Sequence, residues 1–543
     1  MTDRETLRDK VAWDAPGARE IGFEIPARYN ASRILFDNLR AGRGARTAVL
    51  SPAGDATYAE LCEDACRAGN ALRAAGLRHP GRVLMLLDDT RVYPAAFFGA
   101  LRARLVPVMI NTLSPADLVA YYLADSGAQV AIVESSLAAT FTENTVAGSD
   151  LRLLVVANGP VPRRLPVDAV AWADWIAGAS PRLPEARTGR DDMAFWMYSS
   201  GSTGRPKGIV HLHHDMAYTH ASYGRRVLGI TGDDICFSPP KIFFAYGLGN
   251  SITFPFSVGA ATVLNPGRPD PGAVFDCIAR YRPSLFFGLP TLYTALLADG
   301  RAAKADLSSI RLCLSAAEVL SGEVFATWKA RYGHEIVEGL GSTEMLHIYL
   351  SNTVEAKRLG ASGLRVPGYD LELTDNDGHP VASGGVGTLW VRGHSSAPCY
   401  WNKPDKTAET MRGDWIWTGD RFMVDADGFH HFQGRADDLI KVSGQWVYPL
   451  EIERCLAEHP AVRECVVLGI EMADRRMTTR AFVVLNAGET ADEDMTAALQ
   501  AFVKSRLLPF KYPRIVTYLD SLPKTGTDKI DRQRLRAMAQ DGA

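Results

Sequence analysis

The 543-residue chain contains 47% hydrophobic and 22% charged residues, an ordinary balance for a globular protein. The chain is longer than a domain with a single compact core, which predicts two or more domains. A net charge of −3 and an isoelectric point of about 6.5 give no electrostatic attraction to nucleic acid or to an acidic membrane. The N-terminal segment lacks the apolar core of a signal peptide, and no apolar run reaches transmembrane length. We therefore expect a cytoplasmic protein that binds neither nucleic acid nor membrane.

Helix-like and strand-like stretches alternate up to about residue 190. Residues 58–75 and 92–104 have apolar residues at helical spacing, whereas 83–87, 105–110 and 130–133 are short apolar runs. The alternation predicts a parallel sheet with crossover helices. Further strands of the same kind are predicted at 153–156, 194–198, 261–264, 285–287 and 310–314.

The pattern changes from about residue 363 onward. Short apolar runs separated by turns rich in Gly, Asp and Asn predict a small antiparallel unit, with strands at 371–374, 387–392, 415–418 and 429–433. After a charged segment, a second short α/β unit contains predicted strands at 464–469 and 480–485. We place a domain boundary at Asp437, giving an N-terminal domain of residues 1–436 and a C-terminal domain of residues 437–543.

The segment 198–208 reads Tyr-Ser-Ser-Gly-Ser-Thr-Gly-Arg-Pro-Lys-Gly and follows an apolar strand. A Gly/Ser-rich stretch is usually a surface loop, but here glycines, hydroxyl donors and a cation are packed into eleven residues. Glycines allow close backbone approach, and the donors suit a polyphosphate. It is not the common P-loop, because Lys207 is followed by Gly208. The predicted polyphosphate-binding residues here are Ser199, Ser200, Gly201, Ser202, Thr203, Gly204 and Lys207.

Four further motifs follow in order: Gly-Leu-Gly-Ser-Thr-Glu at 339–344, Trp-Thr-Gly-Asp at 417–420 with Gly-Arg at 434–435, the segment 437–444, and Pro-Lys-Thr-Gly-Thr-Asp-Lys-Ile at 523–530. Together with the phosphate loop they resemble the adenylate-forming superfamily of acyl- and aryl-CoA ligases, peptide-synthetase adenylation domains and beetle luciferases. The resemblance covers nearly the whole chain. It implies an α/β fold: parallel-rich α/β subdomains and a small antiparallel barrel-like unit in a large N-terminal domain, then a small mobile α+β domain.

The resemblance also implies an ATP site. Asp420 would accept from the ribose hydroxyls with support from Arg435, and Glu344 would bind Mg²⁺, which prefers carboxylate and phosphate oxygens. Taken singly, these residues are more often a turn aspartate, a surface arginine and a helix first-turn glutamate. The other implied ATP-binding residues, near the adenine and the α-phosphate, are Ala316, Ala317, Glu318, Gly339, Leu340, Gly341, Ser342 and Thr343.

This sequence departs from the family's usual residues at three positions, two near the adenine and one in the terminal motif. Ala317 stands where the family usually has glycine, and Leu340 stands where an aromatic residue is common. Asp528 replaces the glycine that usually precedes the terminal lysine. We therefore expect adenine to pack on an aliphatic side chain.

Adenylation joins two anions, a carboxylate and the α-phosphate of ATP, so the enzyme must supply positive charge and alignment. The resemblance implies Lys529 as the bridging cation, with Thr343 donating to the α-phosphate and Glu344 holding the metal ion. These are the predicted catalytic residues. An isolated lysine in a polar loop is usually solvated at the surface. The catalytic assignment of Lys529 therefore depends on the match of its motif to the family.

The segment after Asp437 resembles the hinge and the strand that enter the active site for the thiol step. It implies a hinge at Asp437 and coenzyme A contacts by Lys441, Ser443 and Gly444. The alternative is that Gly444 is an ordinary glycine of a hairpin and Lys441 an exposed surface lysine, with no contact to coenzyme A. Residues 437–543 match the size of the family's C-terminal domain and leave no room for a carrier domain, which favours a diffusible thiol.

Two segments, 243–249 and 343–351, resemble the substrate pocket of benzoate-type CoA ligases. Ala245 stands where amino-acid-activating relatives place an aspartate, and an α-ammonium buried without that partner would be costly. An aromatic run at a strand end is otherwise more often core than pocket. The predicted acid-binding residues are Phe244, Ala245, Tyr246, Gly247, Gly341, His347 and Ile348.

These features predict an ATP-dependent aryl-CoA ligase of aromatic degradation that uses ATP, Mg²⁺ and coenzyme A on benzoate or a simply substituted benzoate. A homodimer is a further expectation. One alternative is an enzyme that loads an aryl acid onto a separate carrier protein. Another is a nucleotide-binding regulator on a decayed ligase scaffold, against which Lys207, Glu344, Asp420 and Lys529 together argue.

Overall fold

The computed structural model describes residues 16–199, 205–318, 320–436, 438, 440–442, 445–472, 477–508, 511–524 and 530–541. Contacts divide the chain into two compact units. The first contains Met1–Leu371 and Val391–Trp417, and the second contains Glu372–Trp390 and Thr418–Ala543. Asp437, the predicted domain boundary, lies outside the described residues, and that boundary stays a prediction.

One sheet of the first unit carries the phosphate-loop segment between its last two strands. Its strands are parallel except for the final pair. Val83 and Met85 pack into one apolar cluster while Leu84 and Leu86 pack into another, so the sheet is buried on both faces. In spatial order the strands are Asp168–Ala171, Leu153–Ala157, Val130–Glu134, Arg82–Leu86, Val106–Met109, Met193–Ser199 and Lys207–Leu212.

The other large sheet of the first unit places the adenine and metal motifs at the ends of neighbouring strands. The central strands are parallel, and antiparallel strands close both edges. Parallel strands end at the same edge of a sheet, which brings their following loops together. In spatial order the strands are Leu364–Arg365, Ile348–Ser351, Ile336–Gly341, Leu312–Ala316, Leu285–Gly288, Ile235–Phe237, Ala261–Val263, Thr47–Leu50 and Ala56–Thr57.

Helices connect these strands, and apolar residues at helical spacing bury one or more of their faces. The helix Tyr58–Ala74 begins with a capping box formed by Thr57 and Glu60. Short π-helices lie at His220–Gly224 and Gly249–Thr253, and the ring of Tyr223 in the first packs against that of His347, a predicted acid-binding residue. The α-helices of this unit are Pro16–Ile21, Arg33–Arg40, Tyr58–Ala74, Val92–Arg102, Ala116–Ser126, Glu143–Val146, Trp172–Ala177, Asp215–Thr219, Ala245–Leu248, Phe254–Val258, Pro271–Tyr281, Pro290–Ala298, Gly322–Tyr332 and Pro404–Thr410, with a 3₁₀-helix at Ser135–Thr140.

An antiparallel sheet contains the predicted ribose motif. Its strands are Asp370–Thr374, Val386–Arg392, Trp415–Val424 and Met411–Arg412, and His430–Arg435 also pairs with Trp415–Val424. The strand that begins at Trp415 runs to Val424, further than the predicted 415–418, because residues 420–424 pair with the strand His430–Arg435.

The C-terminal part of the second unit is a small α+β structure. Val467 packs on one side of its sheet, and Val466 and Leu468 pack on the other. Its strands are Val462–Glu471, Met477–Leu485 and Ile515–Tyr518, beside a hairpin of Ile440–Val442 and Gln445–Val447. Its helices are Pro449–Ala457, Glu493–Lys504 and Arg532–Asp541. Among the described residues, no helix is long and apolar enough to cross a membrane.

Candidate active site

The phosphate-loop motif connects two antiparallel strands, Met193–Ser199 and Lys207–Leu212. Ser199 and Lys207 face each other across this pair, which closes the base of the loop. Lys207 forms no ion pair with the residues that the structure describes, so its ammonium is available to an anion. The predicted phosphate contacts Ser200, Gly201, Ser202, Thr203 and Gly204 lie outside the described residues.

Glu344 lies in the turn between the antiparallel strands Ile336–Gly341 and Ile348–Ser351, rather than in a helix. Its carboxylate Oε1 accepts a 2.8 Å hydrogen bond from the Tyr400 hydroxyl, and its carbonyl accepts one from Ala397 N. In the described part of the chain, Oε2 accepts no hydrogen bond. A half-buried carboxylate with one oxygen held and the other open fits a Mg²⁺ ligand.

Tyr400 connects the metal motif to the phosphate-loop lysine, although it belongs to none of the predicted motifs. The Lys207 Nζ lies 4.3 Å from the centroid of the Tyr400 ring, within range of a cation–π contact. Tyr400 reaches this place because Ile209 forms a β-bridge with it and Trp401 N donates to Gly208 O. The one side chain therefore contacts both Lys207 and Glu344.

The predicted adenine loop begins where the strand Leu312–Ala316 ends. Ala317 has a φ of +73°, in the left-handed region that favours glycine. The superfamily usually has glycine at this position, and the left-handed backbone of Ala317 is one that glycine adopts more readily. Gly341 closes the neighbouring strand, and a Cβ there would lie 2.3 Å from the His347 carbonyl oxygen. Leu340 is half-buried beside it.

The predicted acid-binding segment is fixed by a charged side chain just before it. The Lys241 Nζ donates to Asp88 Oδ1 at 2.7 Å and to the Asn265 carbonyl at 2.8 Å. Ala245 then begins the helix Ala245–Leu248 and is buried. A Cβ at Gly247 would lie 2.0 Å from the Lys241 carbonyl oxygen, so a larger residue at 247 would displace this turn.

His347 is the centre of an aromatic cluster beside this segment. Its ring centroid lies 4.6 Å from that of Phe254, 5.0 Å from that of Tyr223 and 5.6 Å from that of Tyr246. Neither ring nitrogen makes a hydrogen bond to the described residues. Burial lowers the pKa of His347 to about 3. The imidazole is thus neutral near pH 7, with one donor and one acceptor to offer. Ile348, also buried, begins the next strand.

The second unit holds the predicted ribose residues together. Asp420 and Arg435 face each other on paired strands, and Arg435 Nη1 donates to Asp420 Oδ1 at 2.8 Å. The same nitrogen donates to the Thr418 carbonyl at 3.0 Å. Arg435 therefore orients the Asp420 carboxylate, and the contact of these two residues with ribose stays a prediction.

Lys529 lies outside the described residues, as do Asp437, Ser443 and Gly444; of Lys441 only the backbone is described. The loop that contains Lys529 is closed at its base, where Lys524 forms a β-bridge with Ile530. Just beyond it, Arg532 Nη2 donates to Glu453 Oε1 at 2.8 Å. Burial raises the pKa of Glu453, and Arg532 opposes that shift.

The chain belongs to the AMP-binding enzyme family. Residues 36–401 match that family, and residues 451–529 match the AMP-binding enzyme C-terminal domain. The predicted superfamily, the α/β fold class and the prediction of an AMP-forming acid–thiol ligase are confirmed.

Among its relatives, the chain is 44% identical to the benzoate–CoA ligase of Thauera aromatica over 95% of this chain and 97% of the relative. It is 40% identical to the 4-hydroxybenzoate–CoA/benzoate–CoA ligase of Rhodopseudomonas palustris, over 95% of this chain and 96% of that one. The crystal structure of a benzoate CoA ligase from Burkholderia xenovorans LB400 has a TM-score of 0.85 and 40% identity, over 94% of this chain and all (100%) of that one.

Proposed function

We propose that the protein is an ATP-dependent aryl-CoA ligase that converts benzoate or a simply substituted benzoate into its coenzyme A thioester. The observation that carries the proposal is the position of Tyr400, which contacts the phosphate-loop lysine with its ring and the metal-motif carboxylate with its hydroxyl. That arrangement suits a nucleotide triphosphate bound with Mg²⁺. The benzoate-activating relatives support the aromatic acid.

In the first half-reaction a carboxylate oxygen of the acid attacks the α-phosphorus of ATP, and pyrophosphate leaves as the acyl-adenylate forms. Lys207 and the loop 199–204 bind the phosphates, while Thr343 and the terminal Lys529 stabilise the charge that develops on the α-phosphate. Glu344 would hold Mg²⁺, which neutralises phosphate charge when bound. Asp420, oriented by Arg435, binds the ribose.

The acid lies against Ala245 and Tyr246, with Phe244, Gly247, Gly341, His347 and Ile348 as the remaining predicted contacts. Ala245 offers no carboxylate for an α-ammonium, which disfavours amino acids. The neutral His347 can donate to or accept from a ring hydroxyl. This observation favours hydroxybenzoates as second substrates.

In the second half-reaction the coenzyme A thiolate attacks the acyl carbon, the carbon–oxygen bond to phosphate breaks, and AMP leaves. Lys441, Ser443 and Gly444 would contact the thiol substrate after rotation at Asp437. We propose free coenzyme A as the acceptor rather than a carrier protein. A cytoplasmic location, a role in aromatic degradation and a homodimer remain predictions.

The test is a substrate panel scored by acid-dependent pyrophosphate release and by thioester formation. The panel contains benzoate, the hydroxybenzoates, aminobenzoates, cyclohexanecarboxylate and a short aliphatic acid. We expect benzoate or a substituted benzoate to give the highest kcat/KM and free coenzyme A to accept the acyl group. Acyl transfer to a carrier protein but not to coenzyme A would refute the proposed acceptor, and preference for the aliphatic acid would refute the proposed substrate.

A further inference from the structure

A buried cluster of histidines and one carboxylate lies directly behind the metal motif. His211, Asp215 and His214 have fully buried side chains. His211 Nδ1 lies 2.9 Å from Asp215 Oδ2, which also accepts from Leu212 N at 3.0 Å. His214 Nε2 lies 3.2 Å from Asp215 Oδ1. His211 lies near the end of the strand Lys207–Leu212, and Asp215 fixes the orientation of its ring.

The other nitrogen of His211 contacts the metal motif itself. His211 Nε2 lies 2.9 Å from the carbonyl oxygen of Thr343, the residue before Glu344. A carbonyl oxygen only accepts hydrogen bonds, so Nε2 must carry a proton and donate it. Nδ1, on the other side of the ring, faces the Asp215 carboxylate, so the bond to Thr343 is the one that the imidazole must donate.

His213, two residues further along, has the opposite role and provides a contrast. Its Nδ1 accepts a hydrogen bond from Ala31 N at 3.1 Å. Burial lowers its pKa to about 3, which agrees with an imidazole that accepts. Both histidines are fully buried, but the hydrogen bond to the metal motif comes from His211, whereas His213 accepts from Ala31 N.

The turn that His211 contacts has a backbone that needs such support. Leu346 has a φ of +65°, which is uncommon for a residue other than glycine and raises the energy of the turn. The turn's own hydrogen bond runs from Leu346 N to the Thr343 carbonyl, and two tertiary hydrogen bonds add to it: His211 Nε2 donates to the Thr343 carbonyl and Ser395 Oγ donates to the Met345 carbonyl. The orientation of Glu344 depends on these bonds, because it follows Thr343 directly.

We propose that His211 is a positioning residue for adenylation: its Nε2–H holds the Thr343 carbonyl and thereby sets the Glu344 carboxylate for Mg²⁺ and the Thr343 hydroxyl for the α-phosphate. Asp215 fixes the ring, and the backbone N–H of Leu212 fixes Asp215. The inference rests on the proposed function, since it assigns the metal and α-phosphate contacts to the same turn. It predicts that the hydrogen bond to Thr343, rather than the bulk of the imidazole, sustains the first half-reaction.

Two substitutions separate the two nitrogens of His211. In His211→Gln the amide nitrogen replaces Nε2 and can still donate to Thr343. In His211→Asn the shorter amide replaces Nδ1 and keeps only the Asp215 side. We expect His211→Asn to lower kcat for acid-dependent pyrophosphate release by about 10- to 100-fold, the effect of losing a hydrogen bond from a charged or polarised donor. His211→Gln should stay within about threefold of wild type.

The matched control is His213→Asn, in which the amide oxygen replaces the accepting Nδ1. It should keep wild-type pyrophosphate release, although it changes an equally buried histidine. Thioester formation from pre-made acyl-adenylate is the second control, because that step no longer needs Glu344. We expect all three variants to retain it. A general loss of packing would instead lower both half-reactions and would affect Asn and Gln alike at position 211.

A binding measurement makes the inference independent of the acid. The ATP dissociation constant of each variant is measured by calorimetry with and without Mg²⁺. We expect His211→Asn to lose most of the Mg²⁺-dependent gain in affinity, whereas His211→Gln and His213→Asn keep it. If the wild type adenylates none of the aromatic acids, the proposed substrate fails while this measurement still decides the role of His211. Equal Mg²⁺-dependent gains in His211→Asn and wild type would overturn the proposal.

Discussion

Tyr400→Phe removes one hydrogen bond from the candidate active site and leaves the aromatic ring in place. The Tyr400 hydroxyl donates to Glu344 Oε1 at 2.8 Å, and the ring lies 4.3 Å from the Lys207 ammonium. Phenylalanine keeps the face that Lys207 contacts but cannot donate to Glu344. The substitution therefore tests the orientation of the metal-motif carboxylate separately from the position of the lysine.

The size of the effect follows from the charge of the acceptor. A hydrogen bond to a charged group contributes about 1.5–3 kcal/mol. If that amount is lost from the transition state, kcat falls by about 10- to 100-fold, since each ~1.4 kcal/mol is a factor of ten. The Mg²⁺ concentration needed for half-maximal rate should also rise, because the carboxylate is no longer held.

The assay is acid-dependent pyrophosphate release as a function of Mg²⁺ concentration. Tyr332→Phe is the control, because it removes a similar hydroxyl that donates to the Ala302 carbonyl at 2.9 Å on a peripheral helix. Tyr400→Leu removes the ring as well and should raise the KM for ATP in addition. Wild-type kcat and an unchanged Mg²⁺ requirement in Tyr400→Phe would refute the role assigned to this hydroxyl.

Three further substitutions test other parts of the site. Ala245→Leu should lower kcat/KM for benzoate by about one to two decades through overpacking while leaving the KM for ATP unchanged; unchanged benzoate turnover would remove Ala245 from the pocket. His347→Phe should lower the preference for hydroxybenzoates over benzoate. Because the pKa of His347 is lowered to about 3, the wild-type preference should be constant from about pH 5 to about pH 8, and a change near pH 6.5 would show a protonating imidazole. Ala317→Gly should keep or raise Tm, because glycine relieves the left-handed φ of +73° at the cost of unfolded-state entropy; a stability loss above about 1 kcal/mol would contradict the strain.

The parallel strands of the first unit were predictable because each is a short apolar run between helices. The predicted strand 130–133 is observed as Val130–Glu134, and 285–287 as Leu285–Gly288. Such a strand is encoded by a few adjacent apolar residues, so it can be recognised without knowledge of the tertiary contacts. The π-helices at His220–Gly224 and Gly249–Thr253 were not predicted, because a single extra residue per turn leaves no distinct periodicity.

The candidate site was predictable only where its residues lie in compact motifs. The pairing of Asp420 with Arg435 follows from two such motifs, and the structure places them on adjacent strands. Tyr400 and His211 were missed because their partners, Glu344 and Thr343, are 56 and 132 positions away. Contacts of that range arise from the packing of strands and loops, and no local spacing encodes them.

The central claim is that one protein forms an aryl-adenylate and then transfers the acyl group to coenzyme A. The direct measurement is a single-turnover reaction with ATP, Mg²⁺ and benzoate, first without coenzyme A and then with it, analysed by mass spectrometry. We expect enzyme-bound benzoyl-AMP in the first stage and its replacement by benzoyl-CoA and AMP in the second, with no benzoyl-AMP in Lys529→Ala. Formation of benzoyl-CoA with ADP and phosphate as products, or of no acyl-adenylate from any aromatic acid, would contradict the account.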